Sequence, residues 1–148
     1  GDSGPVLSAW GEHTWPDTLN VMGWHVEDDG LGVLFAQAIP GIVRTRYGDA
    51  LDAFLARNAM TRGDLAGYAC HPGGAKVVAA LEDVFGLPEG GMAAARGVLH
   101  DFGNMSAPTV LFVLDRLRRD GLDGPTLATA LGPGFSAGFA LFAPDGAP

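Results

Sequence analysis

The alternation of apolar and polar positions divides the chain into a series of short elements. Gly4 to Trp10 reads as a short strand ending at Gly11, and Glu12 to Thr18 reads as a polar loop. Two apolar runs, Leu19–Glu27 and Leu31–Ala36, flank Asp28-Asp29-Gly30, a turn sequence that predicts a β-hairpin. From Ile39 the period changes. Ile42, Val43, Ala50, Leu51, Phe54 and Leu55 recur at helical spacing, with Pro40 in the first turn, so a helix is expected to about Asn58. Thr61 to Asp64 is a break, and Leu65–Cys70 is a near-continuous apolar run that fits a strand covered on both faces.

The second half is mostly helical. After the turn His71-Pro72-Gly73-Gly74, Ala75–Phe85 has an amphipathic period and Met92–His100 a shorter one, followed by a loop at Asp101–Met105. Ser106 is expected to cap a helix over Ala107–Arg119, with Pro108 in its first turn. The front of that helix, Val110 to Leu114, is apolar all round, which predicts a buried central helix. Strands at Thr126–Leu131 and Phe135–Phe142 close the chain around Gly132-Pro133-Gly134. The order βββαβαααββ implies a layered α/β domain, a mixed sheet covered by helices.

Composition narrows the function. The length, 148 residues, fits one domain, and 47% hydrophobic against 18% charged residues excludes a disordered tail. A net charge of −8 with Lys76 as the only lysine leaves no basic stripe, so no nucleic-acid partner is expected. Cys70 is the only cysteine, which excludes an internal disulfide and fits a reducing, cytoplasmic setting. Apolar runs reach only about ten residues, too short to span a bilayer.

Two polar residues stand where chemistry is expected. His71 follows a buried strand and precedes a Gly-Gly turn that opens a helix, the position at which open α/β sheets bind ligands. Asn104 lies just ahead of the apolar helix, near its positive end. A neutral histidine and an asparagine aimed at one point would form an oxyanion or enolate hole. A turn asparagine and a hydrogen-bonded structural histidine are the plainer reading of the same two residues.

The wording of the sequence adds an independent argument. Cys70-His71-Pro72-Gly73-Gly74-Ala75-Lys76, Gly103-Asn104-Met105-Ser106-Ala107, Val110–Asp115 and Gly132-Pro133-Gly134 closely resemble the C-terminal half of type III polyketide synthases. This is the chalcone and stilbene synthase family, with a thiolase-like fold. Met22–Leu31 looks most like the bacterial members, and the resemblance covers nearly all of residues 1–148. It implies an acyltransferase with a Cys-His-Asn site. A cysteine takes an acyl group from a CoA starter, while histidine and asparagine polarise the thioester oxygen of malonyl-CoA during decarboxylative condensation. His71 matches the family histidine, which would also keep the cysteine as thiolate, and Asn104 matches the family asparagine. Phe35 matches a gatekeeper phenylalanine, and Gly73, Gly74, Ser106, Gly132, Pro133 and Gly134 match positions lining the acyl cavity. The partners implied are acyl-CoA, malonyl-CoA, the family's N-terminal half and a second copy in a homodimer, with no metal and no cofactor beyond the CoA thioesters.

The resemblance also implies what this chain does not supply. The nucleophilic cysteine and the basic residues that hold CoA belong to the N-terminal half, and Cys70 is expected to face away from His71. Ala130-Leu131 stands where family members usually carry Gly-Phe. Two other readings remain: a ketoacyl-synthase-type condensing enzyme, against which Asn104 stands in place of a second histidine, and a non-catalytic interaction module of the same fold. Local motifs point elsewhere without support. Gly1-Asp2-Ser3-Gly4-Pro5 echoes a serine-protease segment that needs histidine and aspartate upstream. Gly134-Phe135-Ser136-Ala137-Gly138 has the hydrolase-elbow pattern, yet no histidine follows His100. The His25–Asp29 carboxylates are read as a turn rather than a metal site, and His13 and His100 as surface or helix-end residues.

Overall fold

A computed structural model describes residues 4–144, so the serine-protease-like segment at Gly1–Ser3 lies outside the described residues. The strands are β1 (Val6–Thr14), β2 (Met22–Glu27), β3 (Gly30–Phe35), β4 (Gly67–Cys70), β5 (Thr126–Gly132) and β6 (Ser136–Ala143). The helices are α1 (Ile39–Ile42), α2 (Gly48–Arg57), α3 (Ala75–Phe85), α4 (Ala93–Phe102) and α5 (Thr109–Asp120). The main sheet has the order β1-β6-β5-β4, with β4 and β5 parallel and the other pairs antiparallel, while β2 and β3 form a separate hairpin. This is the mixed, helix-covered sheet expected from the sequence. The parallel pair is joined by α3, α4 and α5, because parallel neighbours need a long crossover.

The core lies between the sheet and the helices. Val43, Tyr47, Leu51, Phe54 and Leu55 come from one side of the span Ile39–Arg57, and Phe54 stacks on Phe139 of β6 at 5.2 Å. That span is continuous, as its periodicity predicts, but Val43–Tyr47 is a π-helical turn. The wider turn presents Val43 and Tyr47 to the interior together with Leu51. The Tyr47 hydroxyl donates to Thr129 Oγ1, whose hydroxyl donates in turn to the Gly138 carbonyl. A buried polar chain thus ties the span to β5 and β6.

A buried carboxylate fastens α3 to α4. Glu82 Oε1 accepts from Met92 N at 3.1 Å and from Arg96 Nε at 2.9 Å, and Oε2 accepts from Arg96 Nη2 at 2.5 Å. Its side chain is 3% exposed, whereas that of Arg96 is 30% exposed and stays partly hydrated. The hydrogen bonds from Arg96 hold the Glu82 carboxyl below its usual range of about 4.5, against the opposing effect of burial. A lowered folded-state pKa adds stability at pH above the ordinary carboxylate value, and that stability is lost as pH falls through the folded value. Glu82→Gln is expected to lower unfolding free energy by about 1.5–3 kcal/mol at neutral pH, with the difference from wild type shrinking in acid. Urea midpoints measured across pH 3–7 would check both statements, and a gap that widens in acid would contradict them.

Three expectations need correction. Strand β1 does not stop at Gly11: it continues through Glu12, His13 and Thr14, which pair with Gly138, Ala137 and Ser136. An edge strand exposed to water tolerates polar residues, so Glu12–Thr14 looked like a loop. Ser106 does not cap α5. The helix begins after Pro108 without a side-chain cap, and Ser106 itself has φ +61°. Nor is α5 a buried central helix in this chain. It buries Thr109 and Val113 and leaves Leu111 at 62% and Phe112 at 43% exposed. The sheet and α4 cover part of this all-apolar turn, with Phe112 against Phe102 of α4 at 5.4 Å, and Leu111 stays mostly open to solvent.

Candidate active site

The cavity of interest, about 400 Å³, opens where the β2–β3 hairpin meets the ends of β4 and β5. Its walls are Met22, Gly23 and Trp24 of β2, Val33 and Phe35 of β3, Ser106 and Ala107 ahead of α5, and Ala130–Pro133. His71 and Asn104, with the Ser106 hydroxyl, bring polar side chains to it. A mostly apolar concavity with few convergent polar groups is the ordinary form of a small-molecule site.

The local sequence explains how each side chain arrives there. His71 extends the β4–β5 pairing by one residue, its backbone N–H donating to Thr129 O at 2.8 Å. Pro72 then stops the strand, and the chain turns through Gly73 and Gly74 into α3. A methyl group built on Gly73 would lie 3.8 Å from His71 Cδ2 and Nε2, so that ring edge lies beside the turn. Nδ1 is buried and has no hydrogen-bond partner among the described residues. Burial lowers the His71 pKa from its ordinary 6.5, which keeps the ring neutral at pH 7.

Asn104 approaches from the loop between α4 and α5. Its Nδ2 donates to the Gly73 carbonyl at 3.2 Å and its Oδ1 accepts from Ser106 N at 2.9 Å. The amide is therefore held against the same turn as His71, with a second Nδ2 hydrogen still free to donate. A neutral imidazole and an oriented amide beside one apolar space can stabilise charge developing on a carbonyl oxygen. The buried Cys70 takes no part: desolvation pushes its thiol pKa far up, leaving a neutral core thiol.

The structure brings His71, Asn104, Phe35, Ser106, Gly132 and Pro133 to one cavity. Gly73, Gly74 and Gly134 are not in its walls. Gly73 supplies the carbonyl that Asn104 grips, Gly74 precedes α3 in extended backbone, and Gly134, at φ +126°, accepts from the buried Thr18 hydroxyl at 3.1 Å. Met22, Trp24 and Val33 were not anticipated as walls. Their signal lay in the strand period: Met22 pairs with Phe35 and Trp24 with Val33, which sets all four on one face of the hairpin. The His25–Asp29 carboxylates sit at the tip of that hairpin, and His13 and His100 are exposed. A second apolar cavity of about 320 Å³ lies between α5 and β1, β5 and β6, and of the candidate catalytic residues it holds none.

Comparison with known proteins gives a consistent result. Residues 7–145 match the family model for chalcone and stilbene synthases, C-terminal domain. The chain is 39% identical over 142 residues to a 1,3,6,8-tetrahydroxynaphthalene synthase of Streptomyces peucetius subsp. caesius, covering 93% of this chain and 37% of that protein. It is 34% identical over 126 residues to a putative chalcone synthase of Bacillus subtilis (strain 168), covering 83% and 34%. The crystal structure of the bacterial type III polyketide synthase 1,3,6,8-tetrahydroxynaphthalene synthase from Streptomyces coelicolor A3(2) superposes with a TM-score of 0.89 at 25% identity. That superposition covers 99% of this chain and 43% of the synthase. The chain thus spans little more than a third of the length of the curated relatives it matches.

Proposed function

Because this chain belongs to the chalcone and stilbene synthase C-terminal domain family, we propose that it is the C-terminal domain of a type III polyketide synthase. It supplies His71 and Asn104 to the decarboxylative condensation of malonyl-CoA with an acyl group derived from an acyl-CoA. The observation that carries this reading is the convergence of a neutral histidine and an oriented asparagine on one apolar cavity. In the proposed step the bond between the malonyl carboxylate and the α-carbon breaks, and carbon dioxide leaves. The electron pair passes into the thioester as an enolate, whose oxygen accepts hydrogen bonds from His71 and Asn104. Apolar walls would strengthen those bonds once the open side of the site, where Asn104 is exposed, is covered by the N-terminal half. The α-carbon then attacks an acyl thioester held on a cysteine of the preceding segment, forming the new carbon–carbon bond and releasing thiolate. The cavity face with Trp24, Val33 and Phe35 would border the growing chain.

The test is malonyl-CoA decarboxylation by the full-length protein. Loss of rate in both His71→Ala and Asn104→Ala supports the assignment, and wild-type rates in both overturn it. The 148-residue chain alone is expected to extend no acyl chain, and efficient product formation from it would overturn the need for a second segment.

The exposed side of α5 bears on partners. Leu111 and the still more exposed Trp10 both line the second cavity, and with Phe112 they leave an apolar face open on this chain. The family's N-terminal half would cover it. Without that cover the chain is expected to self-associate and to bind an apolar dye. Sedimentation showing a strictly monomeric, dye-silent species at high concentration would count against this cover.

A further inference from the structure

We infer that Thr109 is a positioning residue for Asn104, an inference that rests on the reading of Asn104 given above. Asn104 sits on a loop without regular structure, yet an oxyanion donor must be held to a fraction of an ångström. Gly73 O and Ser106 N hold its amide, and a single hydroxyl holds the turn that presents Ser106 N. Thr109 is fully buried, and its Oγ1 accepts from Met105 N at 2.9 Å and donates to Ser106 O at 2.7 Å. The two peptide groups so gripped flank the one that carries Ser106 N. That N–H donates to Asn104 Oδ1 at 2.9 Å and fixes the plane of the amide.

Ser106 shows that the clamp acts against a preference of the chain. Its φ of +61° is a left-handed conformation unusual outside glycine, and such residues persist where their surroundings over-determine them. Besides the hydroxyl, Thr109 N also donates to Ser106 O, at 3.0 Å, so one side chain and its own backbone hold the turn from the helix side. Asn104 Nδ2 on Gly73 O holds it from the other. Valine at 109 keeps the shape and buried methyl surface of threonine but removes both hydroxyl bonds. Serine keeps the hydroxyl.

Asn20, Asn58 and Asn104 are the only asparagines, so selective ¹⁵N-asparagine labelling of the 148-residue chain resolves the Asn104 amide directly. Thr109→Val is expected to collapse the shift difference between its two side-chain protons, and Thr109→Ser to preserve it. In the full-length protein, Thr109→Val should lower kcat for malonyl-CoA decarboxylation by about 10–100-fold with KM little changed, and Thr109→Ser should stay within about twofold. In an Asn104→Ala background, Thr109→Val should cause no further loss, because its effect passes through the missing amide. Unmoved Asn104 signals with a wild-type rate in Thr109→Val overturn the inference. An equal further loss in the Asn104→Ala background overturns it too, in favour of a purely structural threonine. If the valine variant does not fold, Thr109→Ala is read by the same criteria. A wild-type rate in Asn104→Ala would sink the catalytic reading of Asn104, while the amide signals would still report on the clamp.

Discussion

Asn104→Ala and His71→Ala are each expected to slow malonyl-CoA decarboxylation by the full-length protein by about 10²–10³-fold, the usual loss when one oxyanion donor is removed. The size follows from where these groups stand. Both line a mostly apolar cavity, and once the exposed Asn104 is covered in the full-length protein a hydrogen bond there to developing negative charge is worth more than in water. Asn104 is already oriented by Gly73 and Ser106, so little reorganisation is needed as the charge appears. The double variant should fall only slightly below the weaker single one, because donors acting on one oxygen are not additive. His71 must also stay uncharged. Protonation would place a second N–H at Nδ1, which is buried without an acceptor among the described residues. Its folded pKa is lowered by desolvation, so folding opposes protonation, and His71 subtracts stability as pH falls below about 6.5. Proton NMR of the 148-residue chain should show His71 titrating below the ordinary histidine value of 6.5, and a midpoint above it would contradict the neutral-donor role.

Phe54→Ala is expected to lower unfolding free energy by about 3–5 kcal/mol, a large share of a stability of about 5–15 kcal/mol. The ring is fully buried, stacks on Phe139 at 5.2 Å with 18° between planes, and meets β1 at Gly11. A Cβ at Gly11 would lie 3.0 Å from Phe54 Cδ2, so the glycine lets the strand backbone rest on the ring. Strand and helix backbones fixed by their own hydrogen bonds cannot close over the space left by the ring. The cavity penalty therefore adds to the lost transfer energy. Urea unfolding of the chain measures it, and a loss under about 1 kcal/mol would show that the site collapses freely.

Much of this fold was legible in the sequence, for identifiable reasons. Asp28-Asp29-Gly30 and the apolar runs beside it defined the hairpin because turn chemistry and strand period agreed. Helix α3 matched its expected bounds, Ala75–Phe85, between the Gly73-Gly74 turn and a left-handed Gly86. His71 and Asn104 were readable as candidates because one follows a strand and the other precedes a helix, but the hydrogen bond from Asn104 to the Gly73 carbonyl, which sets both beside one turn, was not. The π turn at Val43–Tyr47 left no mark on the apolar period. The exposure of α5 was misread because hydrophobicity along a sequence does not say which partner removes a surface from water. Thr109 escaped notice because a lone threonine in an apolar stretch carries no pattern.

The pairing of the first strand with the last has a consequence for synthesis. Among the described residues strand β1 pairs only with β6, in a register that runs from Val6 with Ala143 to Thr14 with Ser136. At ribosomal rates of about 5–20 residues per second, roughly 120 residues of delay keep β1 without its partner for about 6–24 s. During that interval Trp10 and the other apolar side chains of β1 emerge with no sheet to join. The edge of β1 that later binds β6 therefore stays unpaired until the closing strand is released.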